Sequence, residues 1–255
     1  MKPSNSEELK DFLESKVREV NVPDFIPNDP ILIPHSYTHK QDIEITAFWT
    51  AMLSWGQRVT IINKSKQLFG LMDNAPYDFI TNHQEKDRQR FEHFKHRTFQ
   101  FTDTLYFLEF LQWYYKKHES LESVFAQGNT MKEALVGFHE LFFHLPHAPK
   151  RTTKHVATPV RKSTCKRLNM FLRWMVRRDK SGVDFGLWKT ISMSKLMMPL
   201  DVHVERVARY LGLLHRKQRD WQAVEELTQN LRQLDASDPV KYDFALFGVG
   251  VLGEL

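Results

Sequence analysis

The stretch from Lys150 to Lys180 constrains the fold of this chain more than any other, because it joins a helical apolar pattern to a high positive charge. Apolar side chains recur at the period of an α-helix at Leu168, Phe171, Leu172, Met175 and Val176. At 100° per residue, Lys166, Arg173 and Arg177 project from a different face. We therefore expect a helix with one face for a core and one for anions, capped by Ser163 or Thr164.

The positive charge of the chain is concentrated in this stretch. It holds eleven basic residues and one acidic residue, Asp179, whereas the whole chain of 255 residues has a net charge of +5. The remainder of the chain is therefore net acidic. Localised positive charge is typical of a surface that binds a polyanion. A charged helix face that contacts only solvent is the alternative explanation.

A second helix is predicted to begin after the sequence P-L-D, with Asp201 as its N-cap. The amides of the first turn and the helix dipole favour the ionised form of such a carboxylate. The apolar face is formed by Val204, Val207, Ala208 and Leu211, and Gly212 is a natural stop. A structural cap alone would explain the aspartate but not its setting in the string D-x-H-V-x-R-V.

That string, P-L-D-V-H-V-E-R-V at residues 199–207, resembles the V-D-T-H-V-x-R-V string of the helix-hairpin-helix DNA glycosylases. This superfamily includes endonuclease III and the 8-oxoguanine glycosylases; its motif aspartate is catalytic, and bifunctional members add a lysine at the end of the hairpin. The resemblance implies that Asp201 and Lys166 are catalytic, with a separation similar to that of the archaeal 8-oxoguanine enzymes. It also implies an all-α, two-lobed helical fold that acts on double-stranded DNA with a damaged or extruded base.

Two further segments are similar to the same superfamily. Residues 48–69 resemble an early helix-turn-helix whose glutamine helps to fill the gap left by an extruded base, and Gln57 matches that glutamine. Residues 241–250 resemble the closing helix with its late glycine. The resemblance implies that His203, within the aspartate motif, orients the turn or contacts the DNA backbone.

The hairpin before Lys166 departs from the superfamily pattern. The family string L-P-G-V-G-x-K binds a phosphate through glycine amides, but residues 160–166 read V-R-K-S-T-C-K and contain no glycine. We expect a modified hairpin in which Arg161, Lys162 and Arg167 supply side-chain charge instead. Arg173 and Arg177 are predicted to extend this DNA-binding surface.

A second resemblance concerns the basic stretch itself. The strings R-T-x-K-H at residues 151–155 and S-x-C-K-R-L-N-M-F-L-R-W-M-V-R at residues 163–177 resemble an uncharacterised bacterial family, known only as a domain of unknown function. This resemblance implies relatives but no activity.

The residues leave several functions open. A base-excision glycosylase could use Lys166 to form a Schiff base and cleave the strand as an AP lyase, or use Asp201 to position water. A non-enzymatic nucleic-acid-binding protein that retains the fold would show salt-sensitive binding that does not depend on Asp201. A helical scaffold for an acidic protein would not prefer DNA over other polyanions.

Composition and spacing predict the rest of the organisation. With 10 glycines and 11 prolines the chain has too few turn residues for an all-β protein. We expect an N-terminal helix and an extended, proline-rich strap in residues 1–40, a helical lobe in 41–180 and a second lobe in 181–255 that packs with the N-terminal segment. The strap is expected from four prolines between residues 21 and 34, which disfavour a regular element.

The sequence predicts neither a metal nor a cofactor. One cysteine, Cys165, rules out an internal disulfide and a four-cysteine iron-sulfur cluster. The closely spaced histidine pairs have no clear third ligand. The sequence shows no pattern typical of a signal peptide or of a membrane span. We therefore expect a protein of the cytoplasm, associated with the bacterial nucleoid. We also expect it to be a monomer.

Overall fold

The structure is a computed structural model that describes residue 3 and residues 5–252. Within these residues the regular structure is helical, no strand is formed, and His96 and Phe99 make an isolated bridge. The α-helices are α1 Ser6–Val20, α2 Leu32–His35, α3 Lys40–Leu53, α4 Arg58–Gly70, α5 Pro76–Asn82, α6 Phe101–Tyr115, α7 Glu122–Phe125, α8 Met131–Phe142, α9 Lys166–Val176, α10 Val202–Tyr210, α11 Trp221–Leu234 and α12 Tyr242–Leu252. The predicted all-α class is confirmed.

The chain divides into two compact units. The terminal unit comprises Met1–Phe25, Thr130–Lys132 and Thr158–Leu255, and the central unit comprises Ile26–Asn129 and Glu133–Ala157. These units differ from the predicted domains 1–40, 41–180 and 181–255, because the helix that begins at Lys166 shares a unit with Asp201. The difference matters for function, since the two predicted catalytic residues belong to one compact body.

The central unit is held together by aromatic packing around α3. From residue 43 to residue 53 every side chain of this helix is buried. The ring of Phe48 lies 5.8 Å from the ring of Phe107 and 5.6 Å from that of Phe138, measured between centroids. Aromatic side chains at helical spacing are therefore core residues here, as the sequence pattern indicates.

In the terminal unit, α12 is the central helix and packs against both α1 and α10. Two glycines make these contacts close. A Cβ atom on Gly248 would lie 2.6 Å from Cγ2 of Val20 in α1, and one on Gly250 would lie 3.2 Å from the backbone oxygen of His203 in α10. The helix that carries Asp201 at its start is thus fixed against the last helix of the chain.

The proline-rich segment is not an extended strap, so that expectation is wrong. Pro23–Asn28 forms a 3₁₀ helix, and α2 follows at Leu32–His35. A proline fixes φ near −65°, which suits a short helical turn, and its missing N–H costs nothing in the first turn. Helical turns this short can therefore contain prolines that a long helix would exclude.

Among the described residues, no helix is both long enough and apolar enough to cross a bilayer.

Candidate active site

The turn that leads into α9 is built without glycine. Lys162 and Cys165 both adopt left-handed backbone conformations, with φ of 58° and 50°. The turn is held by a hydrogen bond from the Cys165 amide to Ser163 Oγ at 3.1 Å and one from Asn169 Nδ2 to the Thr164 carbonyl at 3.1 Å. The expected cap by Ser163 or Thr164 is wrong, because Cys165 is the N-cap residue and its side chain makes no capping bond. For residues other than glycine, a left-handed backbone conformation is unfavourable, and such residues concentrate at functional sites.

Lys166 is the first residue of α9, and its side chain approaches Asp201. The Nζ atom lies 4.0 Å from Asp201 Oδ2, with 26% of the lysine side chain and 24% of the aspartate side chain exposed. Nζ also donates to the Met170 sulfur, one turn along the helix, at 3.2 Å. The fold thus brings a partly exposed amine and carboxylate together from two distant helix starts.

Asp201 is the N-cap of α10, as predicted. Its Oδ1 atom accepts hydrogen bonds from the amides of His203 at 2.9 Å and Val204 at 3.0 Å. The cap occupies Oδ1 and leaves Oδ2 directed toward Lys166. The cap therefore fixes the orientation of the carboxyl group and keeps Oδ2 on the side of the lysine.

A third ionisable side chain, Asp243 in the first turn of α12, was not singled out from the sequence. It is buried and forms an ion pair with the guanidinium of Arg173. Burial raises the pKa of Asp243 to about 6; Arg173 and Lys166 oppose this rise, and Asp201 adds to it. The only sequence signal is its place in the string K-Y-D at the start of the last helix.

Arg173 and Arg177 do not form the exposed anion-binding face that the helical pattern predicted. Both side chains are buried, 5% and 2% exposed, and their guanidinium groups lie over the ring of Phe244. Arg173 binds Asp184 and Asp243. Arg177 lies within ion-pair distance of Asp179, Asp184 and Asp238.

The reason for this correction is that α9 is buried on nearly all sides. Every residue from Leu168 to Val176 is buried. Burial disfavours the charged form of Arg177, but its three carboxylate neighbours outweigh this effect and raise its pKa. Spacing along a helix shows which residues share a face but not whether that face meets solvent or buried carboxylates.

The other predicted basic residues are more accessible. Arg161 and Lys162 are exposed on the turn before α9, next to Val160, whose exposure is 70%. Arg167 is half-buried in the first turn of α9. His203 is exposed in the first turn of α10, and its main chain contacts Gly250 closely. Four of the predicted DNA-binding residues thus lie near the starts of the two helices that carry Lys166 and Asp201.

Gln57 belongs to the central unit, where it is exposed at the start of α4. The adjoining Gly56 has φ of 113°, and the guanidinium of Arg97 occupies the space where a Cβ would lie. Arg97 also stacks over the ring of Trp55, which is 50% exposed. This corner between α3 and α4, composed of Trp55, Gly56 and Gln57, displays an aromatic ring that sequence analysis did not identify as exposed.

Cys165 precedes Lys166 in the chain, and its thiol is buried. Burial raises the pKa of the Cys165 thiol to about 12, which disfavours a reactive thiolate. In the part of the chain that the structure describes, no group of three or more His, Cys, Asp or Glu side chains is placed to hold a metal ion.

Comparisons with curated proteins and with solved structures find no match. Residues 29–252 match the family described as "Protein of unknown function (DUF2400)", and this range includes the turn before α9, Lys166, Asp201 and Asp243. The prediction of kinship with a family of unknown function is therefore confirmed. The chain belongs to the DUF2400 family.

Proposed function

We propose that this protein is a DNA base-excision glycosylase with AP-lyase activity, in which Lys166 and Asp201 carry out the chemistry. The observation that carries the proposal is the 4.0 Å approach of Lys166 Nζ to Asp201 Oδ2, with both groups partly exposed at helix starts. The resemblance of the Asp201 string to the helix-hairpin-helix glycosylases supports the reaction class.

The proposed chemistry assigns one role to each residue. The neutral amine of Lys166 attacks C1′ of the damaged nucleotide, a C–N bond to the enzyme forms, and the bond from C1′ to the base breaks. Asp201 stabilises the positive charge that develops on the sugar. Opening of the sugar then gives a Schiff base, from which β-elimination cleaves the strand.

The exposed basic residues suit a DNA backbone. Arg161 and Lys162 lie on the turn directly before Lys166, where they would bind phosphates through side-chain charge instead of glycine amides. Arg167 and His203 would contribute at the two helix starts. The resemblance assigns Gln57, in the central unit, a role in DNA binding, and the half-exposed ring of Trp55 beside it offers a stacking surface.

Base release and strand cleavage test the proposal. Duplexes that carry 8-oxoguanine, uracil, thymine glycol or an abasic site would be incubated with excess enzyme, and single-turnover rates measured. We expect wild type to release one class of base, Asp201→Asn to slow release by at least about 100-fold, and Lys166→Gln to abolish strand cleavage. Lys162→Gln is the matched control: it removes a lysine from the same turn and should weaken binding while leaving the saturated rate within about threefold.

A non-enzymatic nucleic-acid-binding protein is the second candidate. The absence of glycine from the turn before α9 favours it, because the turn departs from the phosphate-binding hairpin of the enzymes that the chain resembles. This candidate predicts salt-sensitive DNA binding that Asp201→Asn leaves unchanged. Absence of base release from every duplex, together with such binding, would replace the enzymatic proposal with this one.

A further inference from the structure

The corner between α3 and α4, in the central unit, presents an indole ring to solvent. Trp55 is 50% exposed, whereas Trp49 in the same unit is completely buried. A single exposed apolar side chain is common on protein surfaces and does not by itself indicate a binding site. The argument for a ligand comes from the residues that hold this ring in place.

The guanidinium of Arg97 lies over the Trp55 ring, with Cζ 5.2 Å from the ring centroid. The backbone of Arg97 is left-handed, with φ of 51°. Its side chain fills the space beside Gly56, where a Cβ would lie 2.5 Å from Nη2 and 2.6 Å from Nε. Gly56 itself has φ of 113°, which residues with a Cβ rarely adopt. Unusual backbone conformations in two separate segments therefore bring the cation and the ring together.

The turn that carries Arg97 is tied to the Trp55 backbone. The buried His96 donates from Nε2 to the Trp55 carbonyl at 3.2 Å. His96 and Phe99 exchange two backbone hydrogen bonds, at 2.9 Å and 2.8 Å, which close the turn around Arg97. The position of Arg97 relative to the ring is thus set by hydrogen bonds on both sides of the arginine.

A residue of the string R-T-x-K-H at 151–155 supports the same turn. Arg151 donates from Nη2 to the Thr98 carbonyl at 3.1 Å, and its Nη1 pairs with the buried Asp103 at 2.9 Å. Thr98 directly follows Arg97 in the chain. The string that resembles the uncharacterised family therefore contributes a brace for the cation above the indole ring.

The exposed arginine keeps its charge available. Among the described residues, the partner of the Arg97 guanidinium is the Trp55 ring, and no carboxylate pairs with it. Half of the Trp55 side chain stays exposed even with Arg97 over the ring. A flat, partly exposed ring beside an unpaired cation matches a nucleotide, since every base has a π-face and every phosphate is an anion. A base inside an intact duplex is already stacked and paired, so the matching base is an unpaired one.

We propose that Trp55 and Arg97 bind an unpaired nucleotide, whose base stacks on the indole ring and whose phosphate pairs with the guanidinium. This inference deepens the proposed function and rests on the nucleic-acid binding that the function requires. The nucleotide can come from a single strand or from an unpaired position in a duplex, because both present the same chemistry.

Two single-stranded probes with the same number of phosphates test the stacking. One is a labelled chain of about 12 thymidine nucleotides, a length that single-strand-binding domains cover. The other is an equally long chain of abasic sugar phosphates, which has no bases. Fluorescence anisotropy gives both dissociation constants. We expect the wild type to bind the thymidine chain at least about fivefold more tightly, because one stacked base contributes about 1–3 kcal/mol.

Substitutions at the pair separate the base from the phosphate. Trp55→Ala should weaken binding of the thymidine chain at least about fivefold and leave the abasic chain unchanged, while Trp55→Phe keeps a ring and should stay within about threefold of wild type. Arg97→Gln should weaken binding of both chains and lower the slope of log affinity against log salt by about 0.7. Val59→Ala is the matched control: Val59 is 70% exposed at the start of α4, and its loss removes apolar surface but no ring.

The location of the base is measured on the intact protein by fluorine NMR. The chain has six tryptophans, and after labelling with fluorotryptophan the signal that Trp55→Phe lacks is that of Trp55. We expect the thymidine chain to shift this signal and the abasic chain to leave it in place. A duplex with one bulged nucleotide and the same duplex without the bulge distinguish the two sources of the nucleotide. A shift with the bulged duplex alone of these two assigns the corner to unpaired bases in duplexes as well as to single strands.

Equal binding of the two chains by the wild type overturns the inference, as does a Trp55→Ala variant that keeps the preference for thymidine. Binding of the thymidine chain without a change in the Trp55 signal also overturns it, and so does failure to bind either chain. Base release by Lys166 and Asp201 is measured separately on damaged duplexes. Base release without a preference for thymidine would contradict this inference alone, whereas the preference without base release would contradict the enzymatic proposal alone.

Discussion

At the scale of single residues, the two oxygens of Asp201 have different partners. Oδ1 caps α10 through the amides of His203 and Val204, while Oδ2 faces Lys166. An asparagine can retain the cap, because its side-chain oxygen accepts the same bonds, but it cannot supply the negative charge. Substitution can therefore separate the structural role from the chemical one.

We predict that Asp201→Asn changes the free energy of unfolding by less than about 0.5 kcal/mol, whereas Asp201→Ala lowers it by about 1 kcal/mol. Both variants should lose at least about 100-fold in the rate of base release. Urea denaturation and single-turnover kinetics on the same samples provide the measurements. If Asp201→Asn retained the wild-type rate, the carboxylate would be no more than a cap.

Arg177 illustrates how the setting of a side chain decides its role. We predict that Arg177→Gln lowers the free energy of unfolding by about 3–5 kcal/mol, because it removes the ion-pair partner of the buried Asp238 and one of the two arginines that pair with the buried Asp184. The exposed Arg161 is the matched control: Arg161→Gln should change stability by less than about 0.5 kcal/mol and weaken DNA binding instead. Equal stability of the two variants would contradict the buried network.

The sequence pattern predicted the candidate pair but not the buried carboxyl groups of Asp243 and Asp184. Asp201 stands out because it follows a proline-leucine pair and begins a patterned helix. Asp243 and Asp184 lack such a pattern. An ion pair between a carboxylate and an arginine of a distant helix produces no periodic pattern in the sequence. The burial of Arg173 was missed for the same reason.

At the scale of helices, the contact of α10 with α12 positions the residues near the Asp201 cap. Gly250 allows this contact, because a Cβ there would lie 3.2 Å from both the backbone oxygen and the Cβ of His203. A shift of α10 away from α12 would displace Asp201 relative to Lys166. The late glycine of the last helix thus contributes to the geometry of the site.

We predict that Gly250→Ala lowers the free energy of unfolding by about 1–2 kcal/mol relative to Gly137→Ala. Gly137 lies in α8 with nothing within 4 Å of a built Cβ, so its replacement by alanine should stabilise the protein through helix propensity alone. Thermal denaturation of the two variants compares these effects. A Gly250→Ala variant as stable as Gly137→Ala would show that the two helices are not tightly packed there.

Helices with strong patterns and caps were predictable, whereas short and buried elements were not. The N-terminal helix and the Asp201 cap follow from periodicity and capping chemistry. The turn before Lys166 does not, because Lys162 and Cys165 adopt conformations that favour glycine. The short helices among the prolines were missed because a proline count does not distinguish an extended segment from a single helical turn.

At the scale of the whole molecule, the positive charge of the basic stretch divides into two groups. Arg173 and Arg177 are neutralised by buried carboxylates, while Arg161 and Lys162 are exposed. The net positive charge of the stretch is therefore larger than the positive charge that its surface presents to a polyanion. The terminal unit joins Met1–Phe25 to Thr158–Leu255, so its boundary falls before Lys166 and not at residue 181.

The salt dependence of DNA binding measures how much of that charge is used. We predict that Lys162→Gln lowers the slope of log affinity against log salt concentration by about one, as expected for one lost phosphate contact. A slope unchanged from wild type would exclude Lys162 from the interface. Fluorescence anisotropy across a series of salt concentrations provides the slope.

The measurement that tests the central claim most directly is borohydride trapping of the protein on a duplex with a damaged base or an abasic site. If Lys166 attacks the sugar, borohydride reduces the Schiff base to a stable link, and mass spectrometry of the digested complex should locate the DNA on Lys166. Lys166→Gln should then give no trapped complex, while Lys162→Gln still gives one. A complex joined through another lysine, or no complex on any of these duplexes, would contradict the assignment of Lys166 as the nucleophile.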